Sequence, residues 1–585
     1  MVIEKKNFKT LWRVFSYIEN LKPILVFVFL LIVFSPFVKI AGMAFFQIVV
    51  DNYVVPLTEN YNTTLYNEFL KFILILAFIF VIGFFITIIY TQFIAKIVAI
   101  ILHRIRFDLF KKMQKLPISY YDTHKRGNIM SIYINDVDTL RKFLNTSISV
   151  IIFNIVMSFL NIVMMFYYNW KLTLLLSLIF IGIKVVYTNI IKKSNTYFKE
   201  QQEKLGKLNG YIEEMFEGQK VIKVFNREEQ AKIDFEKINN SLNKSSIKSS
   251  FFGNSISPIL GNVSDFNYII VVCVGLFFVC DDHMKIGVAL AFFQCARNFI
   301  YPFIEVSHFC ETIMNANAGA ERIFTLLDEM NEIDDGKITL KNTNGDIKIK
   351  NVSFGYGDKD ILYNINIKAK RGNKIALIGA TGSGKTTIAS LLNRFYDVSE
   401  GIITIDGIDI KNITKDSLRE NITVVLQDTN LFTGSILENV RYGRLNASNI
   451  DVIEALKNAN AFDFVSKFSN SYNTIITNNG ENLSQGEKQL LSIARAMLSK
   501  SPILILDEAT SSIDTKTEKL IEDSLNKLMK NKTIFIIAHK LSTIKNSDEI
   551  IVLDNGKIIE HGKHKELLDM EGKYYQLYNG LLEIS

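Results

Sequence analysis

This sequence predicts an all-α membrane-spanning domain followed by an α/β P-loop domain. Three observations carry that reading. Long apolar runs fill the first 330 residues, short β-branched runs alternating with helical patterns fill the rest, and a glycine-rich GATGSGKT segment stands at 379–386. At 585 residues the chain is too long for one core. Its mean hydropathy of +0.19 is high for a chain solvated only by water. The expected division is 1–330 for the membrane domain, 331–345 for a linker and 346–585 for the α/β domain.

The apolar runs lie at about 23–50, 69–102, 143–168, 171–192, 252–280 and 285–315, and each exceeds the roughly 20 residues needed to cross a ~30 Å hydrocarbon core. Runs such as FILILAFIFVIGFFITIIY argue against buried helices of a soluble bundle. Two connections, 103–142 and 193–251, are dense in Lys and Arg, whereas the segment after the first run holds Asp51, Glu59 and Glu68 with neither Lys nor Arg. That asymmetry puts both termini on the cytoplasmic side, and a bacterial cytoplasmic membrane is the expected location. It also accounts for part of the +7 net charge, so the charge is no argument for nucleic acid. The same two connections read as helical extensions broken near 119–128 and 213–225, with Gly127 and Gly218 as helix stops.

Cys273, Cys280, Cys295 and Cys310 lie in apolar stretches without a C-x-x-C pair, which predicts buried free thiols rather than a zinc or disulfide framework. The N-terminus is basic and amphipathic and lacks a signal-peptide h-region. About 20 residues precede the first run, which argues against a cysteine-protease domain there.

In the second part, Gly379-Ala380-Thr381-Gly382-Ser383-Gly384-Lys385-Thr386 fits G-x-x-x-x-G-K-[ST]. It follows an apolar strand, KIALI, and opens a helix, the context a phosphate loop requires. Backbone N–H groups surround phosphates there, Lys385 offers a point charge, and Thr386, with Thr387 beside it, offers a hydroxyl next to a Mg²⁺ ion. A second strand, ILIL, ends in Asp507-Glu508. Asp507 suits Mg²⁺ and Glu508 suits polarising an attacking water.

Between these strands stands Leu483-Ser484-Gln485-Gly486-Glu487-Lys488-Gln489; Gln427 follows the strand ITVVL, Ser511-Ser512-Ile513-Asp514 follows Glu508, His539 follows TIFIIA, and Tyr356 closes VSFGY. In order and spacing this set resembles the ATP-binding cassette (ABC) family, over essentially the whole chain, and the first part resembles its exporter type with two coupling helices. The resemblance implies a half-transporter that binds ATP and Mg²⁺ between two cassettes. Tyr356 would stack on adenine, residues 379–387 and Gln427 would hold ATP, and Thr386, Gln427 and Asp507 would serve Mg²⁺. Glu508 and His539 would be catalytic, Asp514 would belong to the D-loop, and Ser484, Gln485, Gly486 and Glu487 would cover the partner's nucleotide. The implied activity is ATP-driven export of a hydrophobic or amphipathic drug, lipid or peptide by alternating access. An ATP-gated channel or regulatory subunit is the rival reading, and a soluble ATPase acting on DNA or translation conflicts with the six spans.

Two departures bear on the partner. The family's usual L-S-G-G-Q has Gln485 and Glu487 in place of its second Gly and final Gln, and Thr477-Asn478-Asn479-Gly480 stands where many homodimeric exporters carry G-E-x-G. A carboxylate at 487 aimed inward would weaken the grip on ATP. The combination resembles one half of a heterodimer, with a homodimer as the alternative.

Helical spacing gathers Gln294, Arg297, Asn298, Tyr301, Glu305, His308 and Thr312 on one face of span six, and Asn254, Ser257, Gly261, Ser264, Asp265 and Tyr268 on span five. Asp265 lies roughly 24 Å and Arg297 roughly 20 Å from the outer end, with Lys39 and Lys184 at similar depth. Ionisable groups at such depth face a bundle interior or a water-filled cavity. The expectation is an Asp265–Arg297 pair lining a cavity with Lys39, Lys184 and Glu305, and a kink at Pro302.

Overall fold

The computed structural model describes residues 8–579, except 282, 300, 358, 427–428, 508–513 and 538–543; the side chains of 178–192 and of most of 301–311, with a few others in the helices, also lie outside the described set. The chain divides into two compact units: Met1–Lys115 with His124–Glu329, and Leu116–Thr123 with Met330–Ser585.

The first unit is helical throughout. Its long helices are Lys22–Val49, Thr63–Met113, Ile148–Tyr168, Trp170–Glu217 and Glu228–Cys280, followed by Ile286–Phe299 and Tyr301–Asp328. Three helical stretches, Lys22–Glu59, Thr63–Met113 and Arg126–Tyr168, are long and apolar enough to cross a membrane, and Asp265–Cys280 and Ile286–Phe299 are shorter apolar helices among the described residues. The Thr63–Met113 helix turns Leu74, Phe78 and Phe84 outward at 70%, 65% and 63% exposure. A face so apolar and so bare fits hydrocarbon, not water.

Small residues let these helices approach closely, as expected where lipid supplies no hydrophobic drive between helices. A Cβ on Gly42 would sit 2.5 Å from Phe80, and one on Gly275 would sit 2.5 Å from Phe293. At the end of the first long helix, Asp51 accepts the Gly287 N–H at 2.6 Å. Lower in the unit, Arg322 holds Asp136 through two bonds of 2.8 and 2.5 Å, and Arg13 clasps Asp328 in the same two-pronged way.

Gly218 caps the Trp170–Glu217 helix and starts the short helix Gln219–Val224. Gly127 behaves otherwise than expected: it lies inside the helix Arg126–Ser131, which begins after Lys125 in extended conformation. The earlier stop comes from Pro117, which follows the end of the long helix and opens Ile118–Thr123. Cys295 is buried, but Cys273 and Cys280 are exposed, against the expectation of buried thiols; Cys310 lies outside the described side chains.

The second unit begins with a tether that runs along its own domain. Glu332 accepts from Arg419 at 2.5 Å and from Lys415 at 3.0 Å, and Asp334 accepts the Lys415 N–H. A four-stranded sheet of order β2 (Asp360–Ala369), β1 (Ile347–Gly355), β4 (Glu400–Ile405), β5 (Ile408–Asp409) is antiparallel. Burial alternates along β1, as in a sheet with one face on the core. A six-stranded sheet runs β12 (Lys557–Gly562), β11 (Glu549–Asp554), β3 (Lys374–Ile378), β10 (Thr533–Ile537), β9 (Ile503–Asp507), β6 (Ile422–Val425), and all its pairs but β11–β12 are parallel. Its central strands are buried almost end to end, because one face is covered by helices and the other by the antiparallel sheet with the helix Lys385–Leu392.

Candidate functional site

The carboxyl ends of parallel strands are where ligands bind in open α/β sheets. Here β10 lies between β3 and β9, and Ile537 pairs with both Leu377 and Asp507, so the three ends stand level. From β3 issues the phosphate loop. From β9 issues Asp507, half-exposed. Glu508 and His539 follow β9 and β10 in sequence; both lie outside the described residues, as does Gln427 after β6.

The loop owes its path to glycine. Gly382 and Gly384 have φ of +81° and +101°, values an L side chain rarely adopts. The helix Lys385–Leu392 starts directly behind them, so its unpaired first N–H groups border the loop. Lys385 is 6% exposed, and its ammonium donates to the carbonyls of Gly379 at 2.5 Å and Ala380 at 3.0 Å. The Ser383 hydroxyl is buried without a partner, which leaves a polar atom free for an anion in the loop. Thr381 and Gly382 are exposed, Thr386 points to solvent and Thr387 is buried at 7%. Thr386 and Asp507 are hard oxygen donors, suited to Mg²⁺ whose remaining ligands are phosphate oxygens and water.

Tyr356, just past β1, is 46% exposed. Its ring packs edge-on against Tyr396 at 4.8 Å and Phe354 at 5.0 Å, which leaves the rest of the ring open for a flat ligand. Tyr396 in turn donates to the Asp122 carboxylate at 2.5 Å. Burial first, and then Asp122, hold the Tyr396 phenol protonated, well above its ordinary range. Neither Tyr396 nor Asp122 stands out in the sequence; only the fold brings two residues 274 positions apart together.

Ser484 begins the helix Gln485–Ser499. Its hydroxyl accepts the Glu487 N–H at 3.3 Å, and the Glu487 carboxylate accepts the Ser484 N–H at 2.8 Å. This capping box turns Glu487 back onto its own helix, where a carboxylate suits the positive end. Gln485 is exposed and Gly486 buried beside it. Asp514 likewise caps the helix Thr515–Leu528, accepting the Thr517 N–H at 2.9 Å, and that bond holds its carboxyl below the usual range.

Two further residues emerge only from the fold. Arg495 braces the helix Gln485–Ser499 against the segment after Gln427, donating to the carbonyls of Asn439 at 2.9 Å and Asn430 at 3.2 Å beneath the rings of Phe432 and Tyr442. Burial pulls its guanidinium below the ordinary value. Asn479, in left-handed conformation within Thr477–Gly480, accepts the Leu431 N–H at 2.8 Å.

In the helical unit, Asp265 and Arg297 are both exposed, and no ion pair joins them among the described residues. The helix Ile286–Phe299 packs through Ala289, Phe292, Phe293, Cys295 and Ala296, which leaves Gln294 and Arg297 on the opposite stripe. Lys39 is exposed, with its ammonium 4.9 Å from the centre of the Phe153 ring. Glu305 is half-buried, and Lys184 lies outside the described side chains. Pro302 stands in the first turn of Tyr301–Asp328; Ile300, between the two helices, lies outside the described residues.

Residues 25–303 match the family model for the ABC transporter transmembrane region, and residues 362–511 match the family model described as ABC transporter. The chain is 37% identical to an uncharacterized ABC transporter ATP-binding protein, YfiC, of Bacillus subtilis, over 98% of this chain and 94% of that protein. It is 36% identical to a fatty acid ABC transporter ATP-binding/permease protein of Mycobacterium bovis, over 81% of this chain and 75% of that one. An ATP-dependent lipid A-core flippase of Legionella pneumophila is also 36% identical, over 81% of each.

Proposed function

This chain belongs to the ABC transporter family, and we propose that it exports a lipid or lipid-like amphiphile, driven by ATP sandwiched between its cassette and a second one. It is a membrane-bound half-transporter whose ATPase is coupled to transport. The observation that carries the reading is the phosphate loop at the end of β3, level with Asp507 on β9, in the same polypeptide as helices whose apolar faces suit lipid.

Tyr356 stacks the base, residues 379–387 and Gln427 take the phosphates, and Thr386, Gln427 and Asp507 serve Mg²⁺, which neutralises charge that builds on the phosphates. Glu508 orients the attacking water and His539 senses the γ-phosphate. Ser484 to Glu487, with Asp514, meet the partner's nucleotide. Six helices span the cytoplasmic membrane with both termini inside. Lys39, Lys184, Asp265, Arg297 and Glu305 face the transport path; the exposure of Lys39, Asp265 and Arg297 in the single chain supports this. The relatives that are named for fatty acid and lipid A transport favour a lipid-like cargo.

Arg297→Ala tests the path directly: cargo-stimulated ATPase is expected to fall, and an unchanged stimulation removes Arg297 from it. The second half is a different chain, a reading supported by Gln485, Glu487 and the Thr477–Gly480 segment. A homodimer is the second reading, favoured by the inturned Glu487 carboxylate. Full ATPase and lipid translocation by the purified chain alone would establish the homodimer.

A further inference from the structure

We propose that Tyr396 is a positioning residue that links the base-stacking ring of Tyr356 to the Ile118–Thr123 helix, so that this helix is ordered by a bound base and not by phosphates alone. The proposal rests on reading Tyr356 as the residue that receives the base.

The three members differ in freedom. Tyr396 is held by its neighbours: Arg394, 3% exposed, donates to the carbonyl of Ile413 at 3.1 Å and pairs with Asp397 at 3.0 Å. The phosphate-loop helix ends at Leu392, immediately before this fixed stretch. Tyr356 is the exposed member, and Phe354, 4% exposed, packs against both rings at 5.0 and 5.6 Å. Asp122 sits on a helix of only six residues that belongs to the cassette unit, yet is continuous in sequence with the helical unit on both sides.

A flat base laid on Tyr356 restricts that ring. Its edge-to-face partner Tyr396, at 82°, then has one arrangement, and its hydroxyl stays on Asp122. A hydrogen bond to a carboxylate is among the stronger ones available, and six residues of isolated helix are unstable without such support. Phosphates in the loop alone leave Tyr356 free and transmit nothing by this route.

The test is hydrogen exchange on the full-length protein in detergent or nanodiscs, with MgATP or with magnesium tripolyphosphate, which has no base. ATP is expected to slow exchange over 116–123 about tenfold and tripolyphosphate to leave it unchanged, while both protect 379–386. In Tyr396→Phe, which keeps the ring, ATP still protects 379–386 but no longer 116–123, and Asp122→Asn shows the same loss. The relay is overturned if 379–386 is protected by ATP but 116–123 responds equally to tripolyphosphate, or if Tyr396→Phe keeps the response. If ATP protects neither segment in the unaltered protein, the nucleotide reading itself falls and the relay with it.

Discussion

Glu487 does two things at once that substitution can separate. Its carboxylate caps the Ser484 N–H, and it carries a negative charge in the segment proposed to meet the partner's nucleotide. Gln can keep the capping bond without the charge, and Ala keeps neither. Glu487→Gln is therefore expected to leave the melting temperature unchanged and to lower the KM for ATP of the assembled complex severalfold, whereas Glu487→Ala lowers stability by about 0.3–1.5 kcal/mol. Equal KM values for Glu487→Gln and the unaltered chain would show that the charge is without effect there. The glycines of the 379–386 loop were legible in sequence because a phosphate loop needs them at fixed spacing. The direction of a side chain was not: the sequence places Glu487 in the signature, but only the helix start at Gln485 decides that it turns back. For the same reason the expected Asp265–Arg297 pair failed, since helical spacing shows which residues share a face and not which face the neighbouring helix covers.

Between residues and domains, the tether at 330–345 and the buried stripe of the Ile148–Tyr168 helix invite measurement. Burial works to raise the Glu332 carboxyl, but hydrogen bonds from Arg419 and Lys415 outweigh it and hold the group below 4.5. A carboxyl depressed in the folded state stabilises it above the unfolded value, and the stabilisation is lost as pH falls through the folded one. Glu332→Gln is thus expected to lower the cassette's melting temperature at pH 7, by about 2–4 °C for each kcal/mol lost in a domain of this size, with the gap closing as the pH drops below 4.5. A gap independent of pH contradicts the ion pair as its source. Asn161 is wholly buried, and neither amide atom has a partner among the described residues. Asn161→Leu is expected to stabilise the detergent-solubilised protein by about 1–3 kcal/mol, and a lower melting temperature would reveal an unseen partner. Helices and strands such as Thr63–Met113 and β3 were readable from apolar length and β-branched runs. The break at 119–128 was readable as a coupling helix only through the resemblance to the exporter type; the grouping of its Ile118–Thr123 helix with the cassette comes from packing between segments far apart in sequence.

At the scale of the whole molecule, one polypeptide joins a phosphate loop to helices apolar enough to cross a membrane. ATP can shift such a protein between states only by binding one of them better, which the proposed site closed by a second cassette would provide. The direct measurement is ATP-dependent translocation of a labelled lipid across sealed vesicles by the assembled complex, with Glu508 intact and as Glu508→Gln. The account predicts that translocation and ATP turnover fall together by about a hundredfold or more in the variant. Translocation at the same rate with and without the carboxylate would contradict it.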